Sequence, residues 1–226
     1  MAAEVPAEAT VVFGDALGRA RRYAELLATD GVSRGLIGPR ETDRLWDRHL
    51  LNCAAVAELL PERGELVDIG SGAGLPGIVL ALLRPSLDVI LLEPLLRRSV
   101  FLEECVAELG LANVVVVRAR AEEKAAARIK ADIATARAVA PLDRLAGWAA
   151  PLLRPGGQLL AIKGQSAEEE LAAAKPVLSR LGVRSAEVLR PGHGRVVPAT
   201  TVVRVVMNGQ AREERSGAQR SRRGVA

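Results

Sequence analysis

The chain has 226 residues, enough for one substantial domain and short for two. Hydrophobic residues make up 49% of it and aromatics only 2%, so the interior must be built from Ala, Val, Leu and Ile, as in a parallel sheet covered by helices. The net charge of +4 hints at an acidic partner such as nucleic acid, but five arginines and two glutamates between Asn208 and Ala226 supply three of those four charges.

No run approaches the roughly 18 apolar residues of a membrane span, and Met1 to Thr10 holds two glutamates and no apolar stretch of the kind that opens a signal peptide. A soluble, cytoplasmic protein is expected. Cys53 and Cys105 each fall on an apolar helical face, with no Cys-x-x-Cys or metal-ligand spacing, so they read as buried thiols and no metal is expected.

In chain order, Val12, Phe13, Leu17, Ala20, Ala24 and Leu27 predict a helix over residues 8–29, stopped by Gly31. After a loop ending in Gly38-Pro39, Thr42 or Asp43 caps a second helix. Its face is Leu45, Trp46, Leu50, Cys53, Val56 and Leu60, and Pro61 ends it. Two helices therefore precede the first strand, placed to cover an edge or mouth of the sheet. From Leu66 the pattern alternates strand and helix. A strand ends near Asp68, a helix runs from Leu75 to Leu83, and a second strand closes at Glu93. A helix then ends at Gly110, followed by strands over residues 113–117 and 132–137 and a helix carrying Leu142, Leu145, Trp148 and Leu152. Pro155-Gly156-Gly157 turns into a strand over 158–163, and Ala167 to Leu181 is helical, with Pro176 expected to kink or split it. Two last strands, 183–189 and 201–207, have no helix between them and should pair antiparallel at one edge. The result is a three-layer α/β fold, a Rossmann-like sheet of seven mostly parallel strands with helices on both faces and an N-terminal helical extension. Residues 1–60 would pack on the 61–207 core as one domain, and 208–226, poor in apolar residues, would be a disordered basic tail.

Residues Leu66 to Gly77 are the centre of this reading: an apolar strand, a turn holding Gly70, Gly72, Gly74 and Gly77, then an apolar helix. Such a turn lets a ligand approach the main chain, and the free N–H groups of the following helix face it. Gly72, Gly74 and Gly77 also match the dinucleotide pattern G-x-G-x-x-G, but Asp68 at the strand end would repel a pyrophosphate. It would attract S-adenosylmethionine, which carries an ammonium and a sulfonium and no phosphate. Glu93, about 20 residues on, suits ribose hydroxyls. Ligands of open α/β sheets bind beyond the carboxyl ends of the strands, which here supply Asp68, Glu93, Arg120 to Glu122, Arg137 and Lys163.

Residues 48–163, about half the chain, resemble the small-subunit ribosomal RNA 7-methylguanosine methyltransferases, the glucose-inhibited division protein B family of class I methyltransferases. The match is carried by Arg48-His49, by the run from Asp68 to Gly77 with its Gly-Leu-Pro-Gly ending, by Glu93, and by Arg97-Arg98 with Phe101-Leu102. It continues through Arg120-Ala121-Glu122-Glu123, Arg137-Ala138 and Lys163-Gly164. The resemblance implies that Gly70, Leu75, Ala121, Glu122 and Arg137 contact the cofactor, with Asp68 on its amino group, Glu93 on its ribose and Gly72 in the same loop. It also implies 16S rRNA or the small ribosomal subunit as substrate, modified near the decoding region, and Arg48, His49, Arg98, Arg120 and Lys163 on the RNA side. The chain departs from the family pattern at Asn52 and Cys53, where Asp and Ser are common, and at Glu93, where Asp is common. Thr200-Thr201-Val202-Val203 also lacks the basic residue expected there.

Guanine N7 offers an in-plane lone pair and has no proton to lose, so its methylation needs positioning and no general base. In keeping with this, Ala136-Arg137-Ala138-Val139 stands where enzymes acting on an exocyclic amine carry Asn-Pro-Pro-Tyr, and no Pro-Cys nucleophile ends a strand. Arg137 is expected to border the cofactor and Lys163, with Arg120 or Arg98, to hold the guanine edge or flanking phosphates. Two rival roles are ion pairing of Arg137 with Glu93, Glu122 or Asp132, and a plain solvent-exposed Lys163. Scarce aromatics argue against reading single-stranded RNA by stacking, which favours a folded rRNA or assembled subunit; a monomer is expected. A small-molecule or protein methyltransferase, or a non-catalytic ribosome- or RNA-binding protein, would share the same fold.

Overall fold

Runs of Val, Leu, Ile and Ala with helical stretches between them build a seven-stranded sheet in the computed structural model, which describes residues 4–192 and 199–209. The strands are β1 (Gly64–Ile69), β2 (Leu87–Leu92), β3 (Val114–Val117), β4 (Ala131–Arg137), β5 (Leu153–Lys163), β6 (Val183–Leu189) and β7 (Thr201–Met207). Their order is β3-β2-β1-β4-β5-β7-β6. The first five run parallel, and β7 lies antiparallel between β5 and β6, as the missing crossover helix requires. Strand order reverses between β1 and β4, which opens a crevice at their carboxyl ends.

The N-terminal helices are less regular than the apolar spacing predicts. The first divides into α1 (Ala7–Phe13) and α2 (Leu17–Leu26), separated by a tight turn at Gly14–Ala16 and followed by a wide turn at Leu27–Gly31. The second begins at Pro39, before the expected caps. Proline's fixed φ suits a first helical position, and Thr42 donates back to the Pro39 carbonyl (2.8 Å) instead of capping. It passes through a π-helical segment at Leu45–Leu51 and a short α-helical turn, α3 (Asn52–Ala54), before Ala55–Leu59. The π segment buries Leu45, Trp46, His49, Leu50 and Leu51 while leaving Arg48 exposed.

The core helices are α4 (Gly77–Leu83), α5 (Leu96–Glu108), α6 (Leu142–Ala149) and α7 (Ala167–Arg180). Pro176 does not split α7, because buried Ala174 and Leu178 anchor the helix on either side of it. Pro155-Gly156-Gly157 is not a free turn either. These residues lie within β5, where the pairing with β4 slips between Ala131 and Ile133, and the Gly156 N–H bonds the Asn208 carbonyl (3.1 Å). Alternation along the strands feeds two cores. Leu66 packs with Ile78, Phe101, Phe13, Tyr23 and Trp46 on one face, and Val67 and Ile69 pack with Leu145 and Leu178 on the other. Phe13 and Trp46 meet edge to face at 6.0 Å. Cys53 and Cys105 are buried and free, and no described helix is long and apolar enough to cross a membrane.

Asp68 shares the Leu66 face and is fully buried beneath α4. Its carboxylate accepts from Thr135 Oγ1 of β4 (2.9 Å) and from the Gly77 N–H that opens α4 (3.1 Å). Gly77 has to be glycine, since a Cβ there would press on Leu91 and lie 2.8 Å from Asp68 Oδ2. Burial pushes the Asp68 carboxyl up to about 6, against the pull of the Thr135 and Gly77 hydrogen bonds. The folded chain therefore holds this proton more tightly than the unfolded chain, whose Asp titrates near about 3.9, so this group's contribution to stability falls as pH rises from about 4 to about 6. Asp68→Asn cannot ionise and lacks that slope. Between about pH 4.5 and pH 7, its unfolding free energy relative to the parent, measured in urea, is expected to move in the variant's favour by about 2 kcal/mol. An unchanged difference would show that Asp68 does not titrate in this range.

Candidate active site

Two cavities open at the carboxyl ends of the strands. The first, about 680 Å³, lies over the loop at Gly70, Ser71, Gly72 and Leu75, with Glu93, Arg98 and Arg120 on one side and Ile37, Glu41, Arg48 and His49 on the other. The second, about 1010 Å³, lies on the β4–β5 side and is lined by Arg44, Asp47, Asn52, Lys163 and Gln165. Arg48, Arg137, Ala138 and Val139 line both, so these four residues stand where the cavities meet.

In the loop only part of the expected ligand surface is realised. The backbone turns at Gly72 with φ +59, and a Cβ there would meet nothing closer than the Gly70 carbonyl at 3.8 Å, so the space beside it is open to a ligand. Gly74 and Gly77 instead face protein atoms, and the first N–H of α4 is taken by Asp68. The N-terminal helices brace the same loop, for Tyr23 is fully buried and its hydroxyl donates to the Ala73 carbonyl (2.7 Å).

Of the residues singled out in the sequence, Gly70, Gly72, Leu75, Glu93, Arg137, Arg48, His49, Arg98 and Arg120 converge on the first cavity. Three do not. Asp68 does not line it, because both carboxylate oxygens are engaged in the core behind the loop. Ala121 and Glu122 also lie off it. The turn after β3 buries Ala121 against the second core and sends Glu122 to solvent, leaving Arg120 alone on the cavity. Lys163 lines the second cavity but is neither free nor exposed. Its ammonium donates to the Ala140 carbonyl (2.8 Å) and pairs with Glu170 (2.7 Å), and its side chain is 8% exposed.

Glu93 is almost wholly buried, with one oxygen accepting from the Gly72 N–H (2.9 Å) and the other from the Leu95 N–H (3.0 Å), while Arg98 stands 3.9 Å away. Carboxylate oxygens accept more than one bond each, so further capacity faces the cavity. Arg137 forms no ion pair among the described residues; its guanidinium reaches the Arg48 carbonyl at 3.5 Å, and Asp132 is occupied by Arg154 (2.7 Å). His49 Nε2 lies 2.9 Å from Glu41 Oε2, and Arg48 pairs with the other oxygen of Glu41 (3.1 Å). Burial, and then the nearby Arg137 guanidinium, hold the His49 imidazole below its usual pKa, with Glu41 opposing. Glu41 is itself lowered, chiefly by the His49 hydrogen bond, so a neutral ring donates from Nε2 to a carboxylate. His193 lies outside the described residues, as does the tail from residue 210 onward, and among the described residues no group of three or more His, Cys, Asp or Glu is placed to hold a metal.

The sequence reading missed Glu41, Arg44 and Asp47. Glu41 stands eight residues before His49, two helical turns away on one face, and that spacing was the available signal. It also treated Asn52 and Thr200 as separate departures from the family pattern, yet they touch. Asn52 Nδ2 donates to Thr200 Oγ1 (2.9 Å), which donates to the Asn52 carbonyl (2.8 Å).

A family model described as rRNA small subunit methyltransferase G matches residues 17–195. The chain is 62% identical over 204 residues to the ribosomal RNA small subunit methyltransferase G of Thermobifida fusca (strain YX), covering 90% of this chain and 86% of that one. It is 55% identical to the protein of that name from Streptomyces coelicolor, over 97% of this chain and 96% of the relative. Among solved structures, a putative S-adenosyl-L-methionine-dependent methyltransferase from Methanococcus maripaludis matches 84% of this chain and 94% of its own, with a TM-score of 0.58 at 15% identity. A SAM-dependent methyltransferase from Aquifex aeolicus matches 76% and 99%, with a TM-score of 0.55 at 17% identity. The fold is that of class I methyltransferases, and the chain belongs to the rRNA small subunit methyltransferase G family.

Proposed function

We propose that the chain transfers a methyl group from S-adenosylmethionine to N7 of a guanine in 16S rRNA near the decoding region, acting as a cytoplasmic monomer. The observation that carries this reading is the junction of the two cavities at Arg48, Arg137, Ala138 and Val139, which gives a cofactor and an acceptor one shared wall. Residues 1–60 belong to the same domain as the core on this reading, since Glu41 lines the first cavity from outside the sheet and Tyr23 bonds the Ala73 carbonyl of its loop.

The first cavity fits the cofactor's parts. Open space beside Gly72 admits a nucleoside against the main chain, Glu93 has acceptor capacity for a ribose diol, and Arg48 and Arg137 suit an amino-acid carboxylate. Glu41 and Glu93 are the carboxylates on this cavity, and the ammonium that Asp68 does not reach falls to Glu41. The cofactor supplies an electrophilic methyl carbon on a sulfonium. Guanine N7 would take that methyl group with no proton to lose, so no residue of this site has to move one. The protein's part is therefore alignment and exclusion of water. Arg44, Arg48 and Arg137 around the second cavity give it the charge a phosphate backbone needs, which favours RNA over an uncharged small acceptor. A cytoplasmic location follows from an acceptor that is ribosomal RNA.

Two measurements test the reading. Labelled methyl from S-adenosylmethionine, offered to small subunits and to naked 16S rRNA from cells lacking this protein, is expected in 7-methylguanosine on nucleoside analysis, with the subunit the better acceptor. No label in RNA despite cofactor binding would move the acceptor to another class. Arg137→Ala is expected to lower kcat/KM by on the order of 100-fold, because it removes a cation from the junction. Lys163→Met should change kcat/KM less than about threefold while lowering stability by about 1–2 kcal/mol, because its charge is spent on Glu170. The reverse ranking of the two variants would return Lys163 to the RNA.

A further inference from the structure

Guanine and adenine both carry an N7 lone pair, so a site that methylates only guanine must read a further group of the base, either O6 beside N7 or the Watson–Crick edge. Guanine's Watson–Crick edge presents two donors, N1–H and N2–H₂, where adenine presents an acceptor at N1. A carboxylate, with two acceptor oxygens and no donor, matches the first and repels the second. N7 lies at the opposite end of the purine from that edge. A base with N7 at the junction of the cavities therefore extends its Watson–Crick edge into the second cavity.

Two carboxylates line that cavity. Glu170 is occupied, accepting from Lys163 Nζ (2.7 Å), the Leu142 N–H (3.2 Å) and Ser166 Oγ (3.4 Å). Asp47 is exposed, lies next to Arg48 on the π-helical segment, and has no hydrogen bond or ion pair among the described residues. The amide of Asn52 is held through its donor, Nδ2 on Thr200 Oγ1, and offers one neutral acceptor against the two charged oxygens of Asp47. An unpaired carboxylate beside Arg44 and Arg48 would only weaken a surface built for phosphate, unless it meets a donor of its own.

We infer that Asp47 reads the Watson–Crick edge of the target guanine, its two oxygens accepting from N1–H and N2–H₂, which makes it a specificity-determining residue that rests on the reading proposed above. The contact gains as the reaction proceeds. Methyl transfer moves the positive charge from sulfur onto the base, and the N1–H and N2–H₂ groups of a cationic base are stronger donors to a carboxylate. Asp47 therefore acts on kcat as well as on KM.

The test uses the full chain and small subunits reconstituted on 16S rRNA carrying either guanine or inosine, which lacks the 2-amino group, at the methylated position. For Asp47→Asn on guanine, kcat/KM is expected to fall about 10- to 100-fold, with kcat sharing in the loss. Inosine should penalise the parent enzyme but cost Asp47→Ala less than about threefold more, because there the partner of the missing amino group is gone. Cofactor binding by calorimetry and the melting temperature should match the parent in both variants, and Asp47→Ala should repeat the loss on guanine. Equal activity of parent and variants on guanine, or an equal inosine penalty in the parent and Asp47→Ala, would overturn the assignment. If the parent transfers no methyl to the guanine subunit, the proposed function itself falls, an outcome separate from a parent that works and a variant that matches it.

Discussion

The site depends on one carboxylate that does not touch it. Asp68 is taken fully out of water at the centre of the sheet, where ionisation is costly, and it is held there by a hydroxyl from β4 and an amide from α4. Those two bonds tie together the strands on either side of the switch point and fix where α4 begins. The missing side chain at Gly77 is the counterpart of this arrangement, because the carboxylate and Leu91 occupy its place. With both ends of the loop fixed, the backbone between them can present Gly72 to the cavity.

The sheet alone would leave that cavity half walled. Its other side comes from the N-terminal segment, and the attachment is polar as well as apolar. Buried Tyr23 holds the loop at Ala73, Glu41 holds His49 and Arg48, and Arg137 reaches back from β4 to the Arg48 carbonyl. The neutral state of His49 matters here. A cationic ring beside Arg137 and Arg48 would add to their repulsion, whereas a neutral ring that donates to Glu41 leaves the carboxylate its full charge for the arginine. The π-helical turn that carries these residues widens the helix where two adjacent side chains, Arg48 and His49, must serve one cavity.

Strand and helix alternation was legible because its periods differ, and the sheet followed from it. What escaped was direction. Asp68 sits at a strand end, so the sequence places it near the crevice, but it shares the Leu66 face, which the next helix covers, and the period of two already implied that. The engagement of Lys163 escaped for a different reason, because its partner Glu170 lies across a loop whose path the sequence does not specify. Asn52 and Thr200 are 148 residues apart, and their contact is a product of tertiary folding alone. Convergence of Glu93, Arg120 and Arg137 could be read because the topology of open α/β sheets brings strand ends together whatever the loops do.

Ala138 is the one described residue other than glycine with a positive φ, +55, and it stands on the wall common to both cavities. An L-residue pays about 1 kcal/mol or more for that conformation, which a glycine would avoid. A side chain at this point is therefore kept in spite of the backbone. Its neighbours explain how the strain is held: Val139 packs against Gly70, with its methyls 3.1 Å from where a Cβ would stand, and Lys163 grips the Ala140 carbonyl from β5. Lys163, with its ammonium on that carbonyl and on Glu170, is thereby spent on holding this segment to β5 and α7. For a transfer that needs no acid or base, a rigid wall shared by donor and acceptor is the form that catalysis by positioning takes.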